Sequence, residues 1–234
     1  MTAIFKRELM AYFKSSIGYI FIGMFLVVSG FMFTANNLLM GSPHLDGVLS
    51  NLLIVFLFLV PVLTMRLLSE ERNLKTDQIL LTSPVSVWDI VLGKYFAAAV
   101  VYLITLGITL LYLIVIAIHG EPAYAQIFCN YFGFALLGMS FISIGTFISS
   151  LTENQASAAV STFAVLLLLF ILDWVAGSVT NPFFVRVIDF ISIMKRFGDF
   201  QLGVLSLAPT IYYISFIAMF LVLTALVMER RRIN

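Results

Sequence analysis

The side chains that most enzymes use for catalysis are sparse in this sequence and form no recognisable motif. His44 and His119 lie in different predicted loops, so neither supplies an H-E-x-x-H site or a metal-ligand cluster. Gly93 and Lys94 lack the upstream glycine and the following hydroxyl residue of a phosphate-binding P-loop. Ser140 is the nearest approach to an intramembrane nucleophile, but no predicted span contains a histidine to serve as its base. The sequence therefore predicts that the chain is not an enzyme and has no metal or cofactor of its own.

The chemistry that the sequence does indicate is binding, and it lies between positions 66 and 94. This polar interval holds four of the 13 basic residues and four of the 12 acidic ones. They are Arg66, Arg72, Lys75, Lys94, Glu70, Glu71, Asp77 and Asp89. Among them, Ile79, Leu80 and Leu81 form a short apolar element that a loop alone in water cannot bury. We therefore expect the interval to dock onto a soluble partner; a helix resting on lipid headgroups is the alternative.

Local signals predict that this interval is helix, break and helix. Asn73 or Thr76 can cap a short first helix, and Pro84 ends it because the residue before a proline avoids helical backbone angles. Ser86, followed three residues later by Asp89, matches the start of a second helix. The apolar element is then the tip of the interval.

The elements that must hold this interval are membrane-spanning helices. The chain is 62% hydrophobic and 11% charged, with a mean hydropathy of +1.08, whereas soluble domains are about 45–50% apolar and about 25% charged. Runs of about 20 apolar residues indicate helices, because a membrane-spanning strand needs only about 10. Six runs are predicted to span, at about 17–36, 50–67, 94–118, 126–149, 156–177 and 209–228. The predicted fold class is an all-α integral membrane protein, with a single transmembrane domain over residues 1–234.

Residues 1–16 are predicted to form an amphipathic elbow helix in the membrane interface. Phe5, Leu9 and Phe13 share one helical face, and Arg7 lies on the opposite face. A basic start before an apolar run also suits a signal peptide, but the run that follows is too long and lacks an A-x-A cleavage site.

Lysine and arginine are unevenly divided between the two ends of the predicted spans. Ten of the 13 fall with the N-terminus, the 66–94 interval, the 150–155 turn and the C-terminus. The positive-inside rule therefore predicts that both termini and the 66–94 interval, which contains the 68–93 coupling loop, are cytoplasmic. Residues 178–208 then lie outside, where the helical spacing of their apolar residues predicts interfacial or re-entrant amphipathic helices.

Few polar residues fall inside the predicted spans. Asp173 is the only carboxylate there, beside Trp174 near the outer end of the fifth span. Both an interfacial position and a role in a pathway or interface are open for Asp173. Gly138, Gly145 and Ser149 share one face of the fourth span, which predicts close packing against neighbouring helices.

Four stretches in order make the chain resemble the permeases of the ABC-2 (type-2 ABC exporter) family. The polar interval resembles their first cytoplasmic loop, from Glu71-Arg72 through the Leu80-Leu81 pair and Pro84-Val85-Ser86 to Gly93-Lys94. Arg7-Glu8-Leu9 with Tyr12-Phe13 resembles the family's elbow helix, and residues 149–155 resemble its second cytoplasmic turn. Residues 197–204, with Tyr212-Tyr213 and the final Glu229-Arg230-Arg231-Arg232, resemble the gliding-motility-type branch of the family. Lys75 stands where the family commonly has glycine.

The resemblance implies a half-transporter, in which two permease chains work with two separate ATPase subunits. The segment matching residues 74–83 is then a coupling helix seated in a cleft of the ATPase, and ATP and Mg²⁺ belong to that partner. The implied coupling residues are Glu70, Glu71, Arg72, Lys75, Thr76, Asp77, Leu80, Leu81, Pro84 and Ser86. Spans two and five are expected to line the pathway, and spans one and five to meet at the dimer axis.

The resemblance further implies a bacterial cytoplasmic membrane with its lipids, a second permease that is a copy or a relative, and an auxiliary protein with an extracytoplasmic domain. No nucleic-acid partner is implied. A non-transporting membrane scaffold that recruits a cytoplasmic partner through residues 66–94 is the alternative function. No cluster of residues indicates the substrate.

Overall fold

Helices make up the regular structure in the described part of the chain, which comprises residues 1–41, 45–75, 85–119, 122–176 and 192–233 of the computed structural model. They are α1 (Thr2–Lys14), α2 (Ser16–Phe33), which continues as a π-helical turn (Thr34–Leu38), α3 (Asp46–Thr64), α4 (Ser69–Asn73), α5 (Val87–Thr109), α6 (Leu111–His119), α7 (Tyr124–Leu151), α8 (Gln155–Ala176), α9 (Phe197–Gln201) and α10 (Leu207–Ile233). This all-helical architecture confirms the predicted fold class.

Six helical segments among the described residues are long and apolar enough to cross a membrane. They are Ser16–Leu38, Gly47–Thr64, Val87–Ile118, Tyr124–Leu151, Gln155–Val175 and Leu207–Arg232. Their number agrees with the six apolar runs of the sequence. The interfacial position of α1 and the division of the chain into a single domain stay predictions.

The fourth span, α7, is the centre of the bundle. It packs against α3, α4, α5, α8, α9 and α10. Glycines allow these neighbours to approach closely: a Cβ at Gly138 would lie 2.4 Å from Cζ of Tyr102, and one at Gly145 would lie 2.2 Å from Oγ1 of Thr64. The close packing predicted from the small residues of this span is therefore present.

A short helix, α9, is wedged against one end of α7. Its Phe197 and Phe200 are buried, and a Cβ at Gly133 would lie 2.5 Å from Cγ of Phe200. This helix belongs to the predicted amphipathic segment 178–208, of which positions 178–191 lie outside the described residues. The re-entrant or interfacial placement of that segment stays a prediction.

Candidate docking site

The residues predicted to couple to a partner divide into two groups. Thr76, Asp77, Leu80, Leu81 and Pro84 lie outside the described residues, as does the apolar tip to which the two leucines belong. The described members are Glu70, Glu71, Arg72, Lys75 and Ser86. These five lie at one end of the bundle, which we call the charged end; it comprises α1, residues 65–75, the start of α5, the 150–155 turn and the end of α10.

The start of α4 is fixed to the fourth span by a serine. The backbone amides of Leu68 and Ser69 donate to Oγ of Ser149, at 3.1 and 3.2 Å. The Ser149 hydroxyl in turn donates to the carbonyl of Met65, at 3.3 Å. One side chain therefore satisfies the first amides of a five-residue helix that could not persist alone.

Glu71 of α4 belongs to a four-residue ion cluster. Its Oε1 lies 3.0 Å from Nζ of Lys94, at the start of the third span, and 2.9 Å from Nη2 of Arg7 in α1. Oε1 of Glu8 completes the cluster, at 3.2 Å from Lys94 and 2.8 Å from Arg7. Lys94 has only 1% of its side chain exposed, so its charge depends on the two carboxylates.

The electrostatics of Glu8 follow from this arrangement. Burial disfavours the ionised carboxylate, but the charges of Lys94 and Arg7 outweigh burial, so the pKa of Glu8 is lowered below its ordinary value. The same helix is also held by Tyr12, whose buried hydroxyl donates to the carbonyl of Leu63 at 2.7 Å. Helix α1 is thus part of the charged end and not an appended segment.

Arg72, the next residue of α4, bonds to a different part of the molecule. Its Nη1 donates to the carbonyl of Leu151 at 3.0 Å, and its Nη2 lies 2.5 Å from Oε1 of Glu153. Both acceptors lie in the turn between the fourth and fifth spans. In that turn, Oδ1 of Asn154 accepts a hydrogen bond from the amide of Ala156 at 3.0 Å, which caps the start of α8.

Glu70 pairs within its own segment. It receives two hydrogen bonds from Arg66, from Nε at 2.6 Å and from Nη2 at 3.2 Å. The charged side chains of Glu70, Glu71 and Arg72 are therefore all engaged within the chain. Direct contact between any of them and a partner stays a prediction.

The two ends of the undescribed stretch 76–84 are also informative. Lys75 has a φ of +55°, in the left-handed region, and is the only non-glycine residue of the described ranges with a positive φ. The ABC-2 permeases that the sequence resembles commonly have glycine at this position. Glycine adopts a positive φ without strain, which explains that preference. On the far side, Oγ of Ser86 accepts from the amide of Asp89 at 3.1 Å, so Ser86 caps α5 as its spacing predicts.

A groove of about 470 Å³ opens beside α4. It lies between Glu70, Asn73 and Leu74 on one side and residues 154–156 on the other. The groove therefore lies between α4, which leads into positions 76–84, and the beginning of the fifth span.

Asp173 lies far from this end, where the fifth span meets the segment before α10. Its Oδ2 accepts a hydrogen bond from the amide of Met194 at 3.2 Å. Nearby, the guanidinium carbon of Arg196 lies 3.9 Å from the centre of the Tyr212 ring. Asp173 thus links the end of the fifth span to the segment before α10, and a pathway role for it stays a prediction.

Six candidate spans, of which the glycine-containing fourth is central, and a charged end built on a short loop helix define a multi-pass membrane protein. The family model for "ABC-2 family transporter protein" matches residues 10–232. The chain therefore belongs to the ABC-2 transporter family.

Two relatives, from Escherichia coli K12 and Escherichia coli O157:H7, carry the description "Probable multidrug ABC transporter permease YbhR". Each is 28% identical to this chain over 141 residues. The match covers 60% of this chain but only 38% of the relative, so the aligned part spans well under half of that protein's length.

Proposed function

We propose that the chain is the membrane-spanning permease subunit of an ATP-binding cassette exporter, with ATP hydrolysed by a separate subunit. The observation that carries this proposal is the attachment of α4 to the bundle through Ser149, Glu71 and Arg72. A connector that only turned the chain round would not need bonds to three other elements. Membership of the ABC-2 family supports the same function.

The docking segment, residues 74–83, is proposed to fit into a cleft of the ATPase. Leu80 and Leu81 supply its apolar tip, and Thr76, Asp77 and Pro84 are proposed to belong to the same contact. Mg²⁺ and ATP are held by the partner, which moves this segment as it closes on nucleotide. Lys75, at the start of the segment, directs the backbone through its left-handed conformation.

The complete transporter is proposed to contain a second permease chain, either a copy or a relative. Spans one and five would meet at the dimer axis, and fewer than a third of the residues of each are buried in the single chain. Residues 197–204 and the Tyr212-Tyr213 pair favour the gliding-motility-type branch, whose members often work beside an auxiliary protein with an extracytoplasmic domain. The proposed location is a bacterial cytoplasmic membrane, in contact with its lipids.

Purification from native membranes in mild detergent tests this function. We expect an ATPase subunit to copurify in equal amounts and the complex to hydrolyse ATP, whereas the chain alone does not. Recovery of the chain with a cytoplasmic partner that is not an ATPase would favour a membrane scaffold. ATP hydrolysis by the isolated chain would contradict the proposal that a separate subunit hydrolyses ATP.

A further inference from the structure

We infer that Glu71 and Arg72 are positioning residues that join the docking segment to two different parts of the membrane domain. This inference rests on the proposed docking role of residues 74–83. It assigns the two charges to transmission within the chain, and not to contact with the ATPase.

The first attachment runs from Glu71 to the amino-terminal helix and the third span. Only 17% of the Glu71 side chain is exposed, and its Oε1 contacts both Lys94 and Arg7. Helix α1 packs closely on α5 at the same place, since a Cβ at Gly93 would lie 3.1 Å from Cγ2 of Ile4. Because a buried ion pair is costly to break, this attachment holds α4, α1 and the start of α5 together.

The second attachment runs from Arg72 to the beginning of the fifth span. Successive residues of a helix point about 100° apart, so Arg72 faces away from the Glu71 cluster. Its guanidinium bonds both the carbonyl of Leu151 and the carboxylate of Glu153, and only 25% of the side chain is exposed. Asn154 then caps α8 immediately after this contact.

The two attachments make the charged end a single mechanical unit. When the docking segment moves, Lys75 transmits the movement to α4. On two different sides, α4 is bonded to α1 and to the turn before the fifth span. Arg72 is therefore the residue that transmits a movement of the ATPase to the fifth span. Glu71 transmits the same movement to α1 and the third span.

Hydrogen exchange of the purified chain tests the two attachments without any partner. Arg72→Gln should accelerate amide exchange in residues 150–156 by about five-fold, the change that corresponds to about 1 kcal/mol, and leave α1 unchanged. Glu71→Gln should accelerate exchange in α1 and leave the 150–156 turn unchanged. Lys6→Gln, at an exposed position of α1, is the matched control and should alter neither region. Equal effects of Arg72→Gln and Glu71→Gln on both regions, or no effect of either, would overturn the inference.

A second experiment measures transmission in the complex with its copurified ATPase. A fluorophore at Ala156→Cys, in a Cys129→Ser background, reports movement at the start of the fifth span. We expect Arg72→Gln to retain the ATPase but to lose most of the ATP-dependent fluorescence change, and Arg72→Glu with Glu153→Arg to restore about half of it.

Three results of that experiment have distinct meanings. Loss of the ATPase from Arg72→Gln would make Arg72 a docking contact and overturn the inference. A full ATP-dependent signal in Arg72→Gln would overturn it as well. Absence of any ATPase from the wild-type preparation would contradict the proposed function instead, and the exchange experiment would still decide whether the two attachments exist.

Discussion

Lys94 shows how a single buried charge organises the charged end. Removing an ammonium group from water costs several kcal/mol, and the two carboxylates of Glu8 and Glu71, at 3.2 and 3.0 Å, offset that cost. Arg7 balances the second carboxylate, so the cluster carries two positive and two negative charges. The cluster is therefore stable only as a whole.

Removal of the Lys94 charge should destabilise the chain strongly. Lys94→Met leaves two partly buried carboxylates with Arg7 as the one cation of the cluster, for which we expect a loss of about 3–5 kcal/mol. Lys94→Arg keeps the charge and should retain most of the stability. The measurement is the apparent unfolding temperature in detergent, with Lys6→Met, at an exposed position of α1, as the control. A Lys94→Met chain as stable as the wild type would contradict this account of the cluster.

The sequence could not predict this cluster: Arg7, Glu8 and Glu71 lie outside the six predicted spans, and Lys94 is the first residue of the third. Positions 8, 71 and 94 belong to three elements, and nothing in the local pattern pairs them. The interpretation of Glu71 and Arg72 came from the polarity of their interval, which indicates a charged segment but not the direction in which each side chain points. Only the packing of α1 against α5 brings these groups together.

At the scale of elements, local patterns were more informative. Six apolar runs predicted six candidate spans, because run length is the property that a bilayer selects. The Ser86 cap followed from its spacing to Asp89, and the close-packed face of the fourth span from its glycines. Helix α4 was not predicted: Asn73, a candidate cap for the start of a helix, is instead the last residue of α4. The local pattern could not show this, because the five residues are stabilised by Ser149 of a distant span.

The central position of α7 leads to a prediction for its glycines. Gly145→Ala would place a methyl group 2.2 Å from Oγ1 of Thr64, and overpacking of this kind costs about 1–3 kcal/mol. Gly23→Ala, in the first span, is the matched control because a Cβ there meets nothing within 4 Å. Thermal unfolding in detergent should show a lowered midpoint for Gly145→Ala and an unchanged one for Gly23→Ala. Equal midpoints would contradict the close α3–α7 contact.

At the scale of the whole molecule, the predicted orientation must agree with the docking proposal. Single cysteines at Asp46, Glu121 and Asp199 should react with an impermeant thiol reagent on intact cells, whereas cysteines at Asp77 and Arg231 should not. These cysteines are introduced into a Cys129→Ser variant. The buried Cys129 thiol donates a hydrogen bond to the carbonyl of Gly203 at 3.3 Å, and the serine hydroxyl can donate in its place. Labelling at Asp77 from outside would contradict the orientation and, with it, access of a cytoplasmic ATPase.

The apolar tip of the docking segment is the basis of the most direct test. If Leu80 and Leu81 fill a groove on the ATPase, each contributes about 1.5–3 kcal/mol through its buried surface. Leu80→Asp also forces a charge into that groove, so the affinity should fall more than about a hundredfold, since about 1.4 kcal/mol corresponds to a factor of ten. Membrane insertion should be unaffected, because the position lies outside every predicted span.

The deciding measurement is the amount of ATPase that copurifies with Leu80→Asp, compared with the wild type and with Lys75→Gly. We expect Leu80→Asp to reach normal abundance in the membrane and to lose its ATPase. Lys75→Gly should retain the ATPase, because glycine adopts the positive φ of this position without strain. Undiminished binding of the ATPase by Leu80→Asp would contradict the central claim that residues 74–83 are the docking segment.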